Sequence, residues 1–412
     1  MIYTKTFDCG AKLALKRTRS DVSYCALSVK SGTRDEDPAF EGMAHMTEHM
    51  LFKGTLRRSS QSISNRLERL GGDLNAYTSK EETVLYATVL KEDTAKAVDL
   101  LAELAFTSVF SPKELDKERL VVIDEINMCK DSPSESIFDD FEQLLFGEHP
   151  LGRTILGTAR SLRKMTSDDI RAYVAANFVP SNMCFSLVGN ITPARAEKIV
   201  ADVLTKYRCP SAVGHDPNSY TRESLAFCTK TFTKEVNKHN HQTNCVIGGT
   251  GLSYYDPDRM ALTLLANILG GPSTNSRLNQ ALRERNALVY SVEAIYTPYA
   301  DTGSFLICFG CEKPNLASCT ELIHKELRSL RETPLTPSAL RAAKRQFLGQ
   351  LAISSDNGEV QALSMGKSMM VFGRILPDDE ARAKIMDITS EQLRDVACRV
   401  LSEDKLSTLI YK

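Results

Sequence analysis

Two histidines and a glutamate stand close together in the run His45-Met46-Thr47-Glu48-His49. On a helix turning about 100° per residue, positions 45, 48 and 49 share one side, while Met43, Met46 and Met50 share the other and can face a core. Imidazoles at i and i+4 can aim their nitrogens at a single metal ion. Glu48 lies between them, placed to take a proton from a metal-bound water. Zinc lowers the pKa of such a water to about 7, so a carboxylate suffices as the base. Five residues alone also fit one buried histidine, one exposed histidine and a solvated glutamate.

The order H-x-x-E-H is the reversed zinc-protease signature, and its context decides. A catalytic zinc takes three protein ligands and keeps one position open. The helix predicted over residues 111–128 offers Glu118 and Glu125, seven apart and on one face. Glu125 sits in the apolar stretch Val121-Val-Ile-Asp-Glu125-Ile, where a carboxylate is expensive unless paired or bound to metal. That makes Glu125 the third ligand and Glu118 the carboxylate that orients a ligand histidine or the water. For Glu118, an ordinary salt bridge with Lys117 or Arg119 is an equal alternative.

The elements that must hold these residues follow from pattern and punctuation. Strands are expected over 12–16 and 22–30, the second with alternating polarity. Helices are expected over 43–52 and 60–70, the latter closed by Gly71-Gly72. A strand pair covers 75–78 and 83–90, helices cover 93–106 and 111–128, and 184–189 closes the sheet. Residues 207–221, rich in Pro, Gly, Ser and Asn, read as a linker. The second half repeats the first: a strand, a polar loop and then Asp-Pro occur at Asp37-Pro38 and at Asp256-Pro257. Ser111-Pro112 and Thr336-Pro337 each open a long helix. Two copies of one α+β unit are therefore expected, 1–206 and 222–412.

Composition narrows the function classes. The 412 residues are 42% hydrophobic and 25% charged, which excludes collagen-like, coiled-coil and disordered chains. Lys+Arg 51 against Asp+Glu 52 leaves no basic excess for phosphates, so nucleic acid is not an expected partner. No apolar run approaches the ~20 residues of a membrane helix, and residues 1–16 have no apolar signal-peptide core. Eleven scattered cysteines then read as reduced thiols, and the chain as cytoplasmic. Cys308-Phe-Gly-Cys311 lies in an expected strand, where residues three apart face opposite ways, so it reads as two buried cysteines. His239-Asn-His241 reads as a solvated strand entry, and Gly270-Gly271-Pro272 as a turn.

The chain resembles the pitrilysin, insulysin and mitochondrial processing peptidase family of zinc proteases, in its half-length bacterial form. The resemblance rests on Gly42 to Thr55 around the histidines, on Gly71-Gly-Asp-Leu-Asn75-Ala-Tyr-Thr-Ser-Lys-Glu81, on Glu118 and Glu125, and on His149 to Thr158. It continues through Asn182-Met and Gly189-Asn190, Gly270-Gly271, Ser276-Arg-Leu, Leu282-Arg283 and Tyr290-Ser291. It implies two homologous α+β domains, each a mostly antiparallel sheet with helices on one face. It implies that Asn75 and Ala76 lie on an edge strand that a peptide joins as one more strand; a turn role for Asn75 is the alternative. It gives Arg283 and Tyr290 the task of gripping the substrate backbone and stabilising the oxyanion. On the internal repeat, His45, His49 and Glu125 correspond to Leu264, Ile268 and Gln350, so the second domain is expected to hold no metal. The expected activity is zinc-dependent hydrolysis of peptides or unfolded segments, with one Zn2+ per chain. The expected assembly is a homodimer whose sites take Glu48 from one subunit and Arg283 and Tyr290 from the other. Two rivals stand beside it: a non-catalytic scaffold of the same fold, and a small-molecule metalloenzyme with the same five-residue motif.

Overall fold

The computed structural model describes residues 2–207, 230–238 and 242–412. The expected linker from residue 208 onward, and His239 and His241, lie outside the described residues. Eleven strands are β1 (Ile2–Thr6), β2 (Lys12–Arg17), β3 (Val22–Val29), β4 (Asp73–Thr78), β5 (Thr83–Leu90), β6 (Met183–Gly189), β7 (Thr233–Val236), β8 (Thr243–Gly251), β9 (Val289–Pro298), β10 (Gly303–Cys311) and β11 (Ser407–Tyr411). The helices of the first half are α1 (Met43–Leu51), α2 (Ser60–Glu68), α3 (Thr94–Thr107), α4 (Pro112–Asp131), α5 (Pro133–Phe146), α6 (Ala159–Lys164), α7 (Ser167–Asn177) and α8 (Pro193–Lys206). Those of the second are α9 (Arg259–Gly270), α10 (Leu316–Glu332), α11 (Pro337–Ser354), α12 (Gly358–Phe372), α13 (Asp378–Asp387) and α14 (Ser390–Val400).

Two compact units form. The first comprises Met1–Asn127, Arg153–Thr221 and Ile353–Pro377; the second comprises Met128–Gly152, Arg222–Ala352 and Asp378–Lys412. The sheet of the first unit runs β1-β2-β6-β3-β5-β4, and that of the second runs β7-β11-β8-β10-β9. Setting aside β1, the orders superimpose strand for strand. In both, the only parallel pair joins the first and last strands of the repeat, β2 with β6 and β7 with β11. The duplication expected from a few shared landmarks is thus a duplication of topology, and the class is α+β with mostly antiparallel sheets.

Strand alternation sorts the side chains onto two faces. In the first unit Leu13, Leu15, Cys25 and Leu27 join Met46 and Met50 of α1 and Leu101 of α3 in the main core. In the second, Ile247, Phe305 and Ile307 meet Leu262 and Leu265 of α9 and Ile323 of α10. Cys311 faces this core while Cys308 packs on the other side of β10, as their spacing requires.

The expectation of helices on one face needs an addition, because the other face of each sheet is also apolar. In the first unit it presents Ala14, Ala26, Val84 and Cys184, which are covered by Ala362, Met365 and Met369 of α12. In the second it presents Val246, Leu306 and Leu409, covered by Ile137, Phe141 and Leu145 of α5. Residues 128–152 and 353–377 therefore group with the unit opposite to the one that a division at 207–221 assigns them. Small residues let α12 lie close: a Cβ on Gly366 would stand 2.3 Å from Ser28 Oγ and 3.0 Å from Ser186 Oγ.

Gly366→Val should consequently destabilise the first unit, although residue 366 is far from it in sequence. Overpacking of this kind costs about 1–3 kcal/mol. Thermal unfolding with hydrogen exchange should show lower stability and early loss of protection in β3 and β6. Unchanged protection in those strands would refute this packing.

Candidate metal centre

The site is built on α1. Its apolar side, Met43, Met46 and Met50, is buried, which turns His45, Glu48 and His49 away from the core. Its N-terminus is held by one residue that the sequence reading left unassigned. The Glu36 carboxylate accepts from the Gly42 N–H at 3.0 Å and the Ala44 N–H at 2.7 Å. These are donors that the first turn of a helix leaves without intrahelical partners. Burial pushes the Glu36 carboxyl up to about 8, while those two N–H groups and Arg153 pull the other way. Gly42 has φ +88°, a conformation favouring glycine, and its Cβ would lie 2.7 Å from the Leu156 carbonyl. Arg153 donates to the Glu36 carbonyl at 2.7 Å. The segment matched by Arg153 to Thr158 thus seats the start of α1.

Across from α1, α4 supplies the carboxylates. His45 Nε2 and His49 Nε2 lie 3.8 and 3.6 Å from Glu125 Oε2. One ligand atom from each of His45, His49 and Glu125 falls within 4.8 Å of the others, the one such group among the described residues. Ligand atoms at about 2.1 Å from a tetrahedral zinc stand about 3.4 Å apart, so the spacing fits that ion. The imidazoles meet edge to face, their centroids 4.6 Å apart. Burial, with the neighbouring His49 second, lowers the His45 pKa to about 4, so its imidazole stays neutral and its lone pair available. His45 Nδ1 is buried without a hydrogen-bond partner among the described residues.

Glu118 is the buried carboxylate of the site. Its Oε2 stands 3.1 Å from His49 Nδ1, and its Oε1 2.6 Å from Lys53 Nζ. A hydrogen on Nδ1 donated to Glu118 leaves His49 Nε2 free to ligate, and fixes the ring. The Glu118–His49 spacing is compatible with the orienting role expected of Glu118, while Arg119 pairs with Asp116 and with carbonyls. The reason given for Glu125 needs correction. Its side chain is 44% exposed, although Val122 and Ile126 of the same stretch are buried. The apolar run does not bury Glu125; its position on α4 brings it to the histidines.

Glu48 is mostly buried, and burial raises its pKa above the ordinary glutamate value. The Thr78 hydroxyl donates to its Oε2 at 2.6 Å and favours the ionised form. Thr78 had no role in the sequence reading. Its signal was its place at the end of the strand that carries Asn75.

Among the described residues that strand, β4, pairs only with β5 and forms the sheet edge. Asn75 pairs opposite Tyr86 within it, which places it in the strand and not in a turn. Its amide donates to Asp73 at 2.8 Å. Arg283 and Tyr290 lie in the second unit: the guanidinium stands 5.8 Å from the ring centre, and Tyr290 is 85% exposed. At the repeat positions of Glu48 and Glu125, that unit has Asn267 and Gln350. The Asn267 amide donates to Gln350 at 2.8 Å, and Gln350 donates to Ser273 at 3.0 Å. Neutral amides thus stand where the first unit has carboxylates, and Leu264 is buried.

Residues 12–159 match the insulinase family of peptidases, family M16, and residues 164–347 match the inactive domain of the same family. The chain belongs to peptidase family M16. It is 32% identical to the uncharacterized zinc protease YmxG of Bacillus subtilis over 411 residues, 100% of this chain and 98% of that protein. It is 30% identical to an uncharacterized zinc protease of Rickettsia bellii, over 93% of this chain and 91% of that one. Among solved structures, a protease from Helicobacter pylori superimposes with a TM-score of 0.89 at 20% identity, covering 100% of this chain and 99% of that one. A Pseudomonas fluorescens structure described as a peptidase M16 inactive domain also gives 0.89, at 23% identity, covering 100% and 97%.

Glu118→Gln should weaken zinc binding by roughly 10–100-fold, because a neutral amide supports the His49 tautomer poorly. Competition against a chelator of known affinity measures it. Unchanged affinity would remove Glu118 from the centre.

Proposed function

We propose that the chain is a zinc metalloendopeptidase acting on peptides and unfolded segments. The observation that carries this reading is the convergence of His45, His49 and Glu125 beside Glu48. A zinc ion held there supplies Lewis acidity and brings the pKa of a water to about 7. Glu48 serves as general base. Thr78 occupies its Oε2, which leaves Oε1 to accept the water's proton and later return it to the leaving amine. A raised pKa suits a group that must also give the proton back. The free edge of β4, at Asn75 and Ala76, offers backbone groups to an extended chain. A folded substrate would first have to unfold, at about 5–15 kcal/mol. Arg283 and Tyr290 are assigned as donors to the developing oxyanion.

Glu48→Gln should retain one zinc per chain and lose turnover by at least about 10²–10⁴-fold, since an amide accepts no proton. In the unsubstituted protein, activity should fall as pH drops through the raised Glu48 pKa. Peptide cleavage by the variant at near the parent rate would overturn the mechanism.

The working form we propose is a two-fold homodimer with Glu48 and Tyr290 acting on one substrate from different subunits. The support is that one chain carries both sets. Co-expressing Glu48→Gln with Tyr290→Phe should restore roughly a quarter of the parent activity, because half the dimers are mixed and each has one intact site. No restoration, or a fully active monomer, would contradict it.

A further inference from the structure

The outward side of α2 carries a second feature that the metal centre does not use. Helix α2 buries Ile63 and Leu67 and packs beside β4. On its other side runs a groove of about 580 Å³ lined by Arg58, Gln61, Ser62, Asn65, Arg66 and Arg69, among others. Every ionisable side chain lining it is an arginine. Arg58 is fixed from beneath: its Nε lies 3.1 Å from Oε2 of the fully buried Glu103, whose Oε1 accepts from Thr55 at 2.7 Å. Glu103 thereby neutralises Arg58 and leaves its remaining N–H groups to the groove. Arg66 and Arg69 have no ion-pair partner among the described residues. Two unneutralised guanidinium forks, Arg66 in the last turn of α2 and Arg69 at its C-cap, sit among amides and hydroxyls that add further donors. Guanidinium forks pair bidentately with planar oxyanions, and a concave setting of one sign concentrates them.

We propose that this groove binds the carboxylates of an acidic segment of the peptide substrate, outside the stretch that joins β4. The inference rests on the peptidase reading above. A chain added to β4 brings its flanking residues past the helix that packs there, so a glutamate-rich flank finds Arg66 and Arg69 without disturbing the zinc ligands. The groove then selects substrates by charge at a distance from the bond that is cut.

Four fluorogenic peptides test this. All share one cleavable segment; two carry four glutamates at the N- or C-terminal end, and two carry four glutamines instead. One glutamate peptide should show a KM roughly five- to tenfold below its glutamine counterpart at low salt, with kcat unchanged. High salt should erase the difference. Arg66→Gln/Arg69→Gln should erase it too, leaving cleavage of the glutamine peptides as it was. Fluorescence anisotropy of the labelled peptides on full-length Glu48→Gln protein reads the same preference without turnover, so a failure of the peptidase reading stays distinct from a failure of the groove. Equal KM and equal binding for both tails, or a preference that survives the double substitution, overturns the proposal. So does binding of inorganic phosphate at Arg66 and Arg69 with no preference for glutamate.

Discussion

The structure turns on holding two imidazoles and a carboxylate at one ion's spacing. His45 and His49 are one helical turn apart, and Glu125 arrives from a different helix, with their Nε2 atoms 3.8 and 3.6 Å from its Oε2. Each neighbouring group answers part of that demand. Burial keeps the His45 imidazole neutral, Glu118 sets the tautomer of His49, Lys53 balances Glu118, and Thr78 holds Glu48. Glu36, Gly42 and Gly157 fix the start of α1 from behind; a Cβ on Gly157 would stand 2.2 Å from the Glu41 carbonyl. Sub-ångström precision at the ligands therefore depends on contacts with no metal chemistry of their own.

The second unit shows what remains when that demand is lifted. Its sheet keeps the same strand order and the same single parallel pair. Where the first unit gathers charge, it has the Asn267–Gln350 amide pair and buried Leu264. The half-buried Asn267–Gln350 amides carry no charge to desolvate, whereas unpaired carboxylates there would be expensive. The scaffold thus tolerates either content, and among the described residues the one His/Glu group at metal-ligand spacing lies in the first unit.

Much of the centre was legible because its chemistry is local in sequence. The i, i+4 histidines, the glutamate between them and the methionines behind them all follow from one helical turn. Glu118 and Glu125 were legible by their spacing of two turns, yet buried Val122 and Ile126 do not bury Glu125, which stays half-exposed on α4. Long-range partners were not legible. Thr78 reaches Glu48 across 30 residues, Glu36 caps a helix it does not adjoin, and α12 covers a sheet some 170 or more residues earlier than itself. A pattern such as Ala362, Met365 and Met369 shows that a helix buries one side; it does not name the surface that receives it. The alternating strands carried apolar residues on both faces, which was the available sign that each sheet needed a second cover.

The most direct test of the account is X-ray absorption at the zinc edge of the purified, zinc-loaded protein. The account predicts one zinc per chain with two imidazole nitrogens and oxygen ligands at roughly 2.0–2.2 Å, and no sulfur. A sulfur shell at about 2.3 Å, or zinc bound only in substoichiometric and non-specific form, would contradict it.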